Sequence, residues 1–529
     1  MKRTSWRKWV VQGLLMTFVG MTSRAYGDPA GIASAPDLQQ KINALEQRLT
    51  DLEKKPEAVL ADASGGTSSA ASAAPTKPDP FSEDDWTWLV GNGRTTSAIM
   101  DTKYFTPEVL MDVGYAHDFA NPTDHTIVGS GITNRSDEFQ VEHFGVGGDF
   151  HIPTGPNGKN AIRARIMTQL GLYSQAIPRN DATAGIGQWN LAGAYRYVTE
   201  MYAGYHWDKM YGVNLDAGIF PSYIGLWSFY EAENWSDTPS YNSSNTPWFF
   251  NGVRIQTFPT ARFKQEYWII NGWQTYGDAN NLPAFGTQTA WRPRGWVSIV
   301  SNNYVGHDGV VNPANTVSES GDLNKGRLRV HTDDSVIVKY YDHPDNMLDK
   351  MAFSLTFDAG CENGGGVQCN NGNANTPSQY FIGIMGYNRF WFDHDKYAIT
   401  IGGGAMDNPG RYLILLPPIN GATAISGVTA VNGQGQPVFT TNPGDEFHAW
   451  DYSVTADYMP DQWITYRLEA GHRQTSVPYW EGSNGITPPG GNQGLPGSGG
   501  TILNANGTVW TPDLVTSQNR LTLNLLVKI

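Results

Sequence analysis

From about residue 104 onward, apolar and polar residues alternate with a period of two. The pattern is cleanest at the C-terminus. Leu521, Leu523, Leu525, Val527 and Ile529 fall on one face, Arg520, Thr522, Asn524 and Lys528 on the other, and Leu526 is the only apolar residue among the polar set. Successive side chains of a strand point to opposite faces, so one surface is made for an apolar medium and the other for water or a polar interior. About ten residues, tilted by about 45°, suffice to cross the apolar band of an outer membrane.

The same alternation places Ile162, Ala164, Ile166, Leu170 and Leu172 opposite Arg163, Arg165, Gln169 and Tyr173. It also sets Tyr195, Tyr197, Met201, Tyr205 and Trp207 against Arg196, Glu200 and His206. Further strands are predicted at 213–219, 253–257, 263–269, 351–357, 397–401, 452–458 and 464–472. Weaker ones fall near 109–119, 139–152, 289–300, 327–341, 379–391 and 508–512. The fold class that follows is all-β: a transmembrane antiparallel barrel of about 16 strands, wide enough for a water-filled lumen. Soluble sandwiches alternate too. The polar faces argue against one, because Arg stands beside Glu and Tyr as a lumen requires.

The N-terminus predicts export. Lys2, Arg3, Arg7 and Lys8 precede an apolar run from Trp9 to about Met21, and Ala25-Tyr26-Gly27 supplies small residues for cleavage before Asp28. Gln12, Gly13, Thr17 and Gly20 interrupt the run, which falls short of the ~20 residues of a spanning helix. Residues 1–27 therefore read as a signal peptide. At 28–56 a short coiled-coil helix is expected: Leu38, Ile42, Leu45, Leu49 and Leu52 keep heptad spacing, with Lys41 and Arg48 at g facing Glu46 and Glu53 at e. Such g-to-e pairs join parallel helices, so a homotrimer is predicted, the alternative being a monomeric amphipathic helix. Residues 57–80 are a flexible Ala/Ser/Pro linker, and the barrel is assigned to 81–529.

Composition fits a thin apolar band with aromatic girdles: 12% of residues are aromatic, yet only 40% are hydrophobic. Taking the five basic side chains of the signal from the formal charge of −14 leaves about −19, which argues against a nucleic-acid partner. The stretches 359–378, 417–445 and 482–507 read as exposed loops. Cys361 and Cys369 lie in the first of these, and an oxidising envelope predicts a disulfide between them.

Three segments resemble a bacterial outer-membrane porin of the OmpL-like β-barrel porin family. They are Gly218-Ile219-Phe220-Pro221-Ser222-Tyr223-Ile224-Gly225 with Asn234 and Tyr241-Asn242-Ser243-Ser244, Tyr466 to Arg473 with Ser476 to Trp480, and the closing strand. A departure is Ile529, where such barrels usually finish on Phe or Trp. The resemblance implies passive diffusion of small hydrophilic solutes across outer-membrane lipid, with no cofactor and no catalysis.

The pore-lining candidates are Arg163, Arg165, Arg196, Glu200, Arg254, Arg262, Lys264, Glu266, Arg467, Glu469 and Arg473. With Asp216, Asp358, Asp451 and Asp457 on the same polar faces, eight basic stand against seven acidic inward residues, and the local basic stretches predict a weak anion preference, unless the charges pair across strands and only stabilise the wall. Phe220 to Pro247 folds inward as a constriction or stands as an outer loop.

Competing chemistry is thin. A hydrolase barrel would need His143 or His472, both assigned outward by parity. Asp342-His343-Pro344-Asp345 and Asp393-His394-Asp395 read as turns rather than metal sites, and Gly402-Gly403-Gly404 as relief of crowding in a barrel wall. A non-conducting structural or adhesive barrel shares every feature except the open lumen.

Overall fold

The computed structural model describes residues 77–529 apart from 131, 134, 156–157, 179–180, 182–187, 279–280, 310–326, 365–367, 372–377, 411, 413–445, 488–505 and 509. The predicted signal peptide and coiled coil, and the linker up to residue 76, lie outside the described residues.

Alternation becomes a closed wall. The strands are β1 (Phe105–Asp118), β2 (Phe139–Thr154), β3 (Asn160–Thr168), β4 (Val198–Trp207), β5 (Val213–Pro221), β6 (Phe249–Thr260), β7 (Phe263–Ile270), β8 (Ala284–Arg294) and β9 (Val297–Gly309). They continue as β10 (Arg327–Asp342), β11 (Leu348–Asn363), β12 (Tyr380–Phe392), β13 (Tyr397–Asn408), β14 (Phe447–Tyr458) and β15 (Ile464–Thr475). A small ribbon, β16 (Trp480–Glu481) with β17 (Leu514–Val515), stands apart from the wall, and β18 (Ser517–Lys528) pairs with both β1 and β15 to close it. The barrel therefore has 16 antiparallel strands, and closure leaves no edge with unpaired backbone groups.

Seven turns of two to five residues gather at one end, where both termini of the wall also lie, and connections of 13 residues or more gather at the other. Such barrels place the short turns toward the periplasm. Most outward residues are exposed aliphatics and aromatics, among them Leu521, Leu523, Val454 and Ile399. Leu526 points inward and is buried, as its parity requires.

Several local expectations are corrected. The strand at 162–173 stops at Thr168, and Tyr173 opens the helical turn α1 (Tyr173–Ala176). Tyr195 belongs to α2 (Leu191–Tyr195), so β4 starts three residues later than its aromatic pattern suggested. The weak candidate at 289–300 is broken by the β8–β9 turn, and residues near 508–512 are not in a wall strand. Residues 77–104 precede the wall instead of forming part of it.

Candidate functional site: the lumen and the segments that enter it

The connection from β5 to β6, residues 222–248, turns into the barrel. Trp235, Ser236 and Asp237 are each no more than 1% exposed. What holds it is the far wall, β12 to β15. Arg467 on β15 donates from Nη2 to the Asn234 carbonyl at 2.6 Å and from Nη1 to the Ser236 carbonyl at 3.0 Å. Arg389 on β12 donates to the Trp235 carbonyl at 2.9 Å. Glu469 accepts the backbone N–H groups of Asp237 and Thr238 at 2.7 and 2.9 Å. Asp451 accepts from Ser240 and from the Tyr241 N–H, and Arg473 donates to the Pro239 carbonyl. A non-regular chain buried in a barrel needs partners for its backbone groups, and charged side chains of the wall supply them.

Close approach finishes the fit. A Cβ on Gly383 would lie 2.0 Å from Asn242, and one on Gly404 would lie 2.4 Å from Ser240. Gly383 and Gly404 thus let the inward segment and the wall touch, while Gly402 and Gly403 relieve crowding within the wall, against Tyr387 and the Asp451 carbonyl.

A second segment crosses the short-turn mouth. The Phe81 N–H donates to the Ala261 carbonyl, and Arg262 pairs with Glu83 at 2.6 Å and Asp84 at 3.2 Å. At its other end Asn92 and Thr95 bond the carbonyls of Asp461 and Gln462, and Arg94 bonds that of Met459. The β6–β7 and β14–β15 turns are eight strands apart around the ring, so this strap spans the mouth from side to side. Trp88 of the strap is fully buried among Trp235, Trp391 and Met459. Gly91 joins strap to inward segment: its N–H donates to the Glu233 carbonyl at 2.8 Å and its carbonyl accepts from Arg389 at 2.6 Å. Nothing in the residue pattern of 81–96 alternates, which is why sequence reading missed it.

The opposite wall, β1 to β7, carries a ladder of ion pairs. Arg165 contacts Glu108, Asp149 and Glu200 at 2.8, 2.6 and 2.9 Å. Arg163 and Arg254 share Asp216 at 3.2 and 2.8 Å. Lys264 bonds Glu266 and the Gln288 carboxamide oxygen, both at 2.7 Å. Arg254 is further stacked over Tyr202, Phe220 and Trp268. The cations here keep some contact with solvent, 26% for Arg163 and 19% for Lys264, against 1% for Arg467, while their partners Asp216 and Glu266 are buried behind them.

The eleven predicted pore residues thus separate into groups. Arg163, Arg165, Glu200, Arg254, Lys264 and Glu266 come together on the ladder. Arg467, Glu469 and Arg473 are inward, yet they anchor the inward segment. Two are displaced. Arg196 follows α2, over the ring of Tyr197 and directed to the Ser174 carbonyl, and Arg262 sits in the β6–β7 turn holding the strap.

His143 is also corrected. A bulge opposite Asp112 and Val113 turns both Glu142 and His143 inward, and His143 packs on Tyr173, Phe229 and Tyr230. His472 does face outward, bonded to Asn519 beside Trp450 and Tyr452. The two Asp/His motifs are turns, with Asp395 paired to Lys350, and among the described residues no cluster could hold a metal ion. Cys361 and Cys369 are joined by a disulfide.

At the long-loop end, the ribbon carboxylate of Glu481 accepts from the Val128 N–H and from Gln518. Burial first, and then the Asp118 carboxylate, raises its pKa well above the usual range. Asp124 behaves oppositely. Burial would raise it, but hydrogen bonds from Thr487, Thr126 and Ile486 outweigh that and lower it.

In sequence, residues 105–496 match the family described as "Putative beta-barrel porin-2, OmpL-like". The chain belongs to that family. It is an outer-membrane β-barrel of the porin class. No curated protein matches it in sequence. Among solved structures it is similar to the outer-membrane channel DcaP of Acinetobacter baumannii, at 11% identity and a TM-score of 0.43, over 82% of this chain and 100% of that one. OprB of Pseudomonas putida is similar at 11% identity and 0.44, over 81% and 94%. An anion-selective porin from Comamonas acidovorans is similar at 7% identity and 0.42, over 80% and 99%.

Proposed function

We propose that the protein is a passive channel for small hydrophilic solutes and ions, working as a homotrimer without chemistry on what it passes. The observation that carries this reading is the division of the lumen. One wall is occupied in anchoring the inward segment, so the route left for water and solute runs along the partly exposed ladder from Arg163 to Lys264. Closely spaced charges of both signs suit hydrated ions and polar solutes.

The ladder does not support the anion preference expected from sequence. Its four basic residues, Arg163, Arg165, Arg254 and Lys264, face five acids, Glu108, Asp149, Glu200, Asp216 and Glu266. Of the other cations counted there, Arg467 and Arg473 are buried against the inward segment, and Arg196 and Arg262 lie off the ladder. A nearly balanced passage with a slight cation preference follows.

Hydrolysis gains no support from the histidines. The described contacts of His143 are the Thr168 carbonyl and aromatic rings, and His472 faces the lipid side. Planar-bilayer recording on the purified full-length protein tests the reading. Stepwise ohmic conductance is expected, and its absence would leave the non-conducting structural barrel.

A further inference from the structure

The outward face of the wall is not apolar throughout. On β8 the outward residues run Phe285, Thr287, Thr289, Trp291, and on β9 they run Ile299, Ser301, Asn303, Val305. On β10 Thr332 and Asp334 lie between Val330 and Val336. Register makes one island of them: Thr287 pairs with Asn303 and Asn303 with Thr332, while Thr289 pairs with Ser301 and Ser301 with Asp334. Because apolar residues flank the island along each strand, it lies within the apolar band and not at a rim.

Lipid is a poor neighbour for such a surface. A carboxylate and an amide facing hydrocarbon have no water to bond, and an acid on the lipid face of a barrel destabilises it. Asp334 accepts one hydrogen bond, from Thr332 at 3.0 Å, and among the described residues no cation pairs with it. Among the same residues the side chains of Asn303 and Ser301 make no hydrogen bond. On the opposite wall, the outward positions of β18 from 521 onward are Leu521, Leu523, Leu525 and Val527, with Asn519 nearer the long-loop end.

We propose that this island on β8 to β10 is the contact between barrels, and that its occupant is a second copy of the chain. It rests on the outer-membrane reading above and names the partner surface of the trimer. The island carries both halves of the bond it needs, the Asp334 acceptor at its β10 edge and the Asn303 amide one strand away. A rotationally repeated contact can therefore set the acid of one copy against the amide of the next and close into a ring. Toward the long-loop end the wall is recessed, in a cavity of about 780 Å³ lined by Phe285, Val305, Val330 and Ile382, which gives an abutting barrel's side chains a place to enter. The heptad at 38–52 predicts parallel self-association of the same chain, independently of the wall.

Asn303→Cys and Leu523→Cys, each in full-length protein, test this with a bis-maleimide linker, the native cysteines being joined to each other. Cross-linking at 303 into dimer and trimer bands, roughly tenfold above that at 523, is expected of a closed ring through this face. A double variant, Ser301→Leu with Asp334→Leu, should run as a monomer in mild detergent while keeping heat-modifiable mobility and unchanged conductance per barrel. Equal cross-linking at both sites would overturn the proposal, as would a double variant of wild-type mass, a monomeric wild type whose island is reached by lipid-borne quenchers, or a cross-linked partner of another mass. Asn303→Cys protein that cross-links into a ring but, like the wild type, conducts nothing would uphold the interface and overturn only the channel reading.

Discussion

Arg467 and Asp457 form a two-pronged ion pair inside the barrel: Nε donates to Oδ1 at 2.8 Å and Nη2 to Oδ2 at 3.1 Å, with neither side chain more than 1% exposed. The remaining donors of the guanidinium reach the carbonyls of Asn234, Ser236 and Glu231. A planar fork with five N–H groups is suited to this arrangement, and Lys could not reproduce it.

Arg467→Met should therefore loosen the inward segment and leave Asp457 with Arg389 alone. Removing one partner of a buried pair typically costs about 3–5 kcal/mol. A lower urea midpoint is expected, with larger and noisier single-channel currents as the segment moves off the wall. An unchanged conductance would mean that residues 222–248 do not set the width of the passage.

The strap gives a second expectation. A Cβ on Gly91 would lie 2.4 Å from the Asn234 carbonyl oxygen and 2.9 Å from that of Ala232, both backbone atoms that cannot swing aside. Gly91→Val should push the strap from the inward segment and break its bond to Arg389. Residues 79–96 are then expected to become cleavable by added protease from the short-turn side, with higher conductance and an intact, heat-modifiable barrel.

How much of this was legible follows from the kind of signal each feature leaves. The wall was legible because a lipid-facing strand must alternate, and β18 does so with Leu526 as its one apolar inward residue. Parity failed for His143, because a bulge adds one residue and turns the next side chain to the other face. It failed for Arg196 because aromatic Tyr195 and Tyr197 continue the strand pattern into a helix end. The inward direction of Arg467, Glu469 and Arg473 was readable, but their task was not. They bind backbone groups of residues 234–241, and a carbonyl leaves no trace in a residue pattern. The outward island had the same fate, since Thr marks a strand as well as Val does, and Ser301, Asn303 and Asp334 read as breaks in the alternation and not as a surface.

Selectivity is decided on the ladder. Arg163→Gln with Lys264→Gln removes the two most exposed of its cations and frees part of the charge of Asp216 and Glu266. Within a Debye length of about 8 Å these acids act directly on a passing ion. The reversal potential in a salt gradient should move further toward cations, by a margin that shrinks as ionic strength rises. A shift toward anions, or none, would put the solute path elsewhere.

The last expectation concerns acid. Asp124 ties the β1–β2 connection to the chain between the two ribbon strands, accepting the N–H groups of Ile486 and Thr487 at 2.8 and 2.7 Å and that of Thr126 at 3.1 Å. Burial opposes ionisation, yet these bonds hold its pKa below the ordinary 3.8. A carboxylate depressed in the folded state lends its stabilisation fully above the unfolded pKa and loses it as pH falls through the folded one. Near neutrality the tie should therefore be at full strength, and below about pH 4 it should weaken. Amide hydrogen exchange at Ile486 and Thr487 reads this directly: protection is expected to drop on acidification in the wild type. In Asp124→Asn protection should already be low at neutral pH and should change little with acid, because the substituted amide presents one neutral acceptor oxygen where the carboxylate presented two charged ones.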